Sequence, residues 1–247
     1  MPPLPVHPRE AVESPLPDLL KAPNTTRSSV MHRTRYVGPL HRWQNFEANV
    51  RASMPARWST AVIDHNLRSR NIRQEEVAVA NETGVKGRFQ QAVGQTLGAV
   101  FRAENVNVRF SDFHSAGTGY RHTPDVALVS RSLPVTVKAV GEIKVPWVAS
   151  HNLQDRYTDD YELRAAIGQV VEYMIDQQVA YGFHSTYEET IFLRQVRIHG
   201  AWRVEYSSII RSQATGVSAK QCFWYLSQLA AQGQPVNNPT PKDQLII

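Results

Sequence analysis

The chain of 247 residues has one cysteine, Cys222. It therefore forms no internal disulfide and offers no cysteine-rich zinc site, and it suits a reducing compartment. No apolar run is long enough to span a bilayer. Residues 1–8 hold no apolar stretch fit for a secretory signal. These features predict an intracellular protein, nuclear or cytoplasmic, with no membrane partner. Asn24 and Asn81 begin glycosylation sequons that carry no weight without such a signal. A glycine loop that would cradle nucleotide phosphates is missing. Ser185 lacks the setting of a nucleophile elbow. Both absences count against kinase and serine-hydrolase chemistry. The nine histidines are scattered and form no zinc-protease pair. No internal repeat is visible.

What is present is an ordinary apolar content of 42 %, a net charge of +5 and a pI near 9.4. One sizeable core is expected. The modest positive charge permits an anionic partner such as nucleic acid without requiring one. Residues 1–40, rich in Pro, Ser, Thr and His, read as a disordered lead segment. Residues 41–80 read as a helical extension, with Trp43, Phe46, Val50, Met54, Trp58 and Val62 inward. Arg51, Arg57, Arg68, Arg70 and Arg73 then form a solvated basic face. Residues 81–235 read as the main domain and 236–247 as a loose tail. In the main domain, Val85, Phe89, Val93, Leu97 and Phe101 mark a helix of about five turns. A strand follows near Val106–Phe110, then strands over 123–130 and 135–145 joined by a turn at 131–134. A second long helix spans 159–180, burying Leu163, Ala166, Ile167, Val170, Val171 and Met174. Strands at 181–187, 190–198 and 201–206 and a helix at 218–231 complete the chain, with Cys222 buried in that last helix. A mixed α/β (α+β) sheet flanked by helices is the natural packing of this order.

The feature that carries chemistry is Pro124–Asp125 followed, seventeen residues after the aspartate, by Glu142–Ile143–Lys144. An antiparallel pairing of the two strands sets Asp125 opposite residues 140–142. Alternation puts Glu142 and Lys144 on one face and Val137, Ala139, Ile143 and Val145 on the other. Two carboxylates can hold a divalent cation, and a neighbouring lysine can steer an attacking water or offset charge on phosphate. Each residue alone has a plain structural role: a strand-start aspartate for Asp125, a surface ion pair for Glu142 and Lys144. Their order on adjacent strands is what favours a site.

That order resembles the PD-(D/E)XK nuclease superfamily, over about residues 80–200. Glu82, opening the first long helix, matches an additional acidic residue of the superfamily. Gln169 and Tyr173 resemble the Q-x-x-x-Y element of its RecB-like branches, and segments 181–187 and 190–194 resemble its fungal members. The resemblance implies a restriction-endonuclease-like core of order α-β-β-β-α-β with added C-terminal strands and helix. It implies Asp125, Glu142 and Glu82 as metal ligands together with the Ile143 carbonyl, and catalytic roles for Lys144 and Gln169. Mg²⁺ is the implied ion, with Mn²⁺ as a substitute, and nucleic acid the implied partner, DNA ahead of RNA. Helix capping is the plain role for Glu82, with Glu75 and Glu76 as rivals for the acidic position. His122, Arg194 and Arg197 are lesser candidates; Tyr173, Trp202 and Trp224 read as packing. The rival functions are a non-cleaving nucleic-acid- or protein-binding module on the same fold, and a fungal effector or genome-conflict protein.

Overall fold

The computed structural model describes residues 6–27, 34–61, 63, 77–117 and 119–247. Its elements run α1 (Pro8–Glu13), β1 (Leu40–Arg42), α2 (Phe46–Ala52), α3 (Glu82–Phe89), a π-helical turn (Gln90–Gln95) and α4 (Thr96–Ala103). Next come β2 (Val108–Ser111), β3 (Val126–Ser130), β4 (Val137–Ile143), α5 (Leu153–Arg156) and α6 (Asp160–Asp176). The chain closes with β5 (Tyr181–Ser185), β6 (Glu189–Ile198), β7 (Ala201–Tyr206), β8 (Ile210–Arg211) and α7 (Ala219–Gln232). Among the described residues, eight strands form one sheet in the order β1-β7-β6-β5-β4-β3-β2, with β8 on the end of β6. Pairing is antiparallel except for β4 with β5 and β1 with β7. This is a mixed α/β fold with a mostly antiparallel central sheet.

Alternation along the strands feeds two cores. On β6, Phe192 points to one core while Ile191 and Leu193 point to the other. The first core lies under α1, α2, α3, α4 and α7. There Phe89, Phe183 and Phe223 meet with centroids 4.8–5.5 Å apart. Each such ring contributes roughly 1.5–3 kcal/mol by burial. The second core lies under α6, whose Leu163, Ala166, Ile167, Val170, Val171 and Met174 are all buried. Gly141 on β4 is needed for close approach: a Cβ there would sit 2.1 Å from the Phe183 ring.

The expected face of β4 is corrected at one residue. Leu128 pairs with Ala139 but Val129 pairs with Val137, so Lys138 is an extra residue in β4. A bulge reverses the alternation beyond it. Ala139, Ile143 and Val145 enter the first core, whereas Val137 packs against the second.

The ends of the chain also differ from expectation. Among the described residues of the lead segment, α1 packs on α4 and α7, with Val12 and Leu16 buried. Its path is pinned by hydrogen bonds from Ser218 Oγ to the Val12 carbonyl (2.6 Å) and from Lys220 Nζ to Ser14 Oγ (2.5 Å). A few apolar side chains spaced among prolines suffice to dock a strap onto a ready-made core, a pattern without period. The tail is likewise held: the Val37 amide donates to the Leu245 carbonyl at 2.8 Å, and Leu245 is buried. In the 41–80 extension, α2 is helical, but His41 and Arg42 join the sheet together with Leu40 of the lead segment. Val62, Arg68, Arg70, Arg73, Glu75 and Glu76 lie outside the described residues.

Candidate functional site

The site forms where the end of β4 meets the start of α3. Helix α3 begins here because the Asn81 side chain caps it, accepting from the Gly84 amide at 2.9 Å. That cap delivers Glu82 in the first turn, where the helix dipole favours a carboxylate. One turn on, Lys86 projects along the same face. Strand β3 begins at Val126, paired with Gly141, which leaves Asp125 just beyond the ladder and across from Glu142. Asp125 is tied to β4 directly, since its Oδ2 accepts from the Ile143 amide at 2.9 Å. Glu142 and Lys144 leave β4 on one face.

Three carboxylates and two ammonium groups meet there. Lys144 Nζ lies 2.6 Å from Glu142 Oε1 and 3.6 Å from Glu82 Oε2. Lys86 Nζ bridges Glu82 Oε1 at 2.8 Å and Asp125 Oδ1 at 2.6 Å. The structure thus brings together Glu82, Asp125, Glu142 and Lys144, and adds Lys86, which sequence reasoning missed. Its spacing of four from Glu82 on a capped helix was the available signal. Ile143 takes part through its amide.

Burial sets the electrostatics. Glu142 is pushed up to about 7, first by burial and then by the Asp125 charge, against the pull of Lys144. Burial also raises Asp125, although Lys86 and the Ile143 amide oppose it. Glu82 moves the other way: burial would raise it, but Lys86 and Lys144 outweigh that and hold it low. Both lysines are held high, because their carboxylate partners overcome desolvation. Two carboxylates this close in low dielectric resist joint ionisation.

A divalent cation was tested against these residues. Hard carboxylate oxygens suit Mg²⁺, and Glu142 Oε2 is buried without a hydrogen-bond partner. Such an orphaned acceptor is costly unless something fills it. Yet among the described residues no group of three or more His, Cys, Asp or Glu side chains is gathered to hold an ion. Lys86 stands between Glu82 and Asp125, where an ion shared by those two would sit. The donor chemistry therefore fits, and the ion would have to displace an ammonium.

Gln169, on α6, is buried and donates to the Tyr173 hydroxyl at 2.5 Å. It also lines a cavity of about 20 Å³ behind Lys144, together with His151, Leu153, Arg156 and His184. The lesser candidates lie apart or are otherwise engaged. His122 is exposed against Tyr120. Arg194 binds Glu205 and covers Trp43, and Arg197 donates to the Gly200 carbonyl. Trp224 and Cys222 are core. Among the described residues no helix is long and apolar enough to cross a membrane.

No protein family, curated protein or solved structure matches the chain.

Proposed function

We propose that this chain is a metal-dependent nuclease of the PD-(D/E)XK type, hydrolysing phosphodiester bonds in DNA ahead of RNA. The observation that carries the reading is the meeting of Asp125, Glu142 and Lys144 at the end of β4, with Glu82 delivered by α3. The chain order α3/α4, β2, β3, β4, α5, α6, β5, with β4 parallel to β5, supports this reading.

In this reading Asp125 and Glu142 would hold Mg²⁺ or Mn²⁺, with Glu82 and the Ile143 carbonyl as further ligands. When bound, the ion supplies Lewis-acid stabilisation of phosphate charge and acidifies water. The chain's own residues do the rest. Lys144 holds its proton beside the buried Glu142 and so would present a positive charge to the phosphate. The Ile143 amide keeps Asp125 from rotating away. Gln169, locked by Tyr173, offers a polar wall beside Lys144.

The test is cleavage of single- and double-stranded DNA and RNA with Mg²⁺ or Mn²⁺. Asp125→Ala and Lys144→Ala are expected to abolish it, and activity surviving both would sink the assignment. A second reading is favoured by one observation: Lys86 and Lys144 already occupy the carboxylates. That arrangement fits a non-cleaving module that binds nucleic acid. Salt-sensitive DNA binding without cleavage in any metal would select it.

A further inference from the structure

An open groove of about 510 Å³ adjoins the site and is lined by residues 23–27 of the lead segment together with Ala80 and Asn81. Asn81 is the cap of α3, so the groove ends one residue short of Glu82. The lead segment is held there from both sides. The Val79 amide donates to the Leu20 carbonyl at 2.8 Å, and the Ala22 amide donates to the Val79 carbonyl at 2.9 Å. Further on, the Thr26 amide donates to the Ala80 carbonyl at 2.9 Å. The Thr26 carbonyl accepts from Trp147 Nε1, also at 2.9 Å. Ala80 stands two residues before Glu82, and Trp147 three residues after Lys144. Thr26 therefore ties together the two segments that carry the site, and this wall of the groove keeps a set position beside it.

The lining carries one cation, Arg27, and no carboxylate. Asn24, Thr26 and Arg27 are exposed, and Thr25 is half-buried. None of these four side chains has a hydrogen-bond or ion-pair partner among the described residues. A guanidinium, an amide and two hydroxyls are the donors that hold phosphate and sugar oxygens in nucleic-acid complexes. The neighbouring site is different: it gathers three carboxylates, whose charge opposes an incoming phosphate. A polyanion gains from a grip just outside that cluster. The groove also has the right size, within the roughly 300–1,000 Å³ of ligand sites.

We infer that this groove holds the sugar–phosphate backbone of the nucleotide next to the scissile bond, with Arg27 on a phosphate and Asn24 and Thr25 on neighbouring oxygens. The inference rests on the nuclease reading and deepens it in two ways. It makes the lead segment, which lies outside the α-β-β-β-α-β order, part of the substrate surface. It also commits the substrate to a polynucleotide, since a single nucleotide at the carboxylates would leave the groove empty.

Two measurements test this, both in an Asp125→Ala background that keeps DNA whole in Mg²⁺. The chain's own Cys222 is buried, so Thr25→Cys adds an accessible thiol against a quiet background. Saturating single-stranded DNA should suppress alkylation of that thiol. Arg27→Ala should weaken binding of the same DNA about fivefold at 0.1 M salt and lower the salt slope by about 0.7. With Asp125 restored, Arg27→Ala should raise KM for cleavage and leave kcat unchanged, whereas a merely structural loss would lower kcat. An unprotected thiol at saturating DNA, or natural affinity and slope in Arg27→Ala, overturns the groove assignment alone, because cleavage by the natural chain still supports the nuclease reading. Equal protection by a poly-glutamate chain overturns nucleic acid as the occupant. Protection by DNA that the natural chain never cleaves overturns the nuclease reading, and with it the place beside a scissile bond.

Discussion

Lys86→Met isolates what the bridging lysine does. Methionine keeps most of the apolar stem and removes only the ammonium group between Glu82 and Asp125. Removing one partner of a fully buried ion pair costs about 3–5 kcal/mol. Here Asp125 is one-tenth exposed, while Lys86 and Glu82 are about 30 % exposed. Solvent screening then reduces the cost to about 1–2 kcal/mol. For a chain of this size each kcal/mol moves the Tm by about 2–4 °C. In EDTA at pH 7 the variant should melt about 2–8 °C below the natural protein. Mg²⁺ should act in the opposite sense. An ion at a hundred times its Kd stabilises by about 2.7 kcal/mol, and in the variant it no longer competes with Lys86 for the same oxygens. The Mg²⁺-induced rise in Tm should therefore be larger in Lys86→Met than in the natural chain. The assay is thermal melting across a Mg²⁺ titration. An equal or smaller Mg²⁺ response in the variant would refute the idea that Lys86 stands where the ion binds.

Other outcomes follow from the same structure. Lys220 is buried on α7 with Ser14 Oγ as its hydrogen-bond partner, and burial pulls it down to about 8. The unfolded chain holds that proton more tightly, so stability should rise between pH 8 and 10 as the folded lysine discharges. The full displacement is worth about 3 kcal/mol. Lys220→Met should flatten that rise in chemical denaturation and be the more stable protein at pH 7. Glu142 has the opposite sign: its folded pKa lies near 7, above the unfolded value. Its contribution is complete below about pH 4.5 and is lost as pH rises through 7. Glu142→Gln should remove that fall, and a fall that persists unchanged would assign it to another group. Gly141→Ala forces a methyl into the Phe183 ring and should cost about 1–3 kcal/mol in urea denaturation.

Local patterns in the sequence determined much of the main domain. Apolar spacing marked the helix through Val85 and Phe101 and the helix through Leu163 and Met174, because one buried face imposes its period on the chain. The face shared by Glu142 and Lys144 follows from simple alternation, and the approach of Asp125 to β4 from pairing of adjacent strands. Tertiary structure alone decided the rest. The bulge at Lys138 turns Val137 away from Ala139, and no single strand reveals an unpaired residue that exists only relative to its partner. The lead strap and the tail lacked periodicity, since they dock on a core built by other segments and have no face of their own to repeat. Lys86 reaches Asp125 across 39 positions; that contact depends on where α3 lands beside β3. The orphaned Nε2 of His151 depends on the Val145 carbonyl and on packing by α5, α6, β5 and the segment that follows β4. Composition and spacing can nominate charged groups for a site, but which of them are paired, and which buried atom is left without a partner, is set by packing in three dimensions.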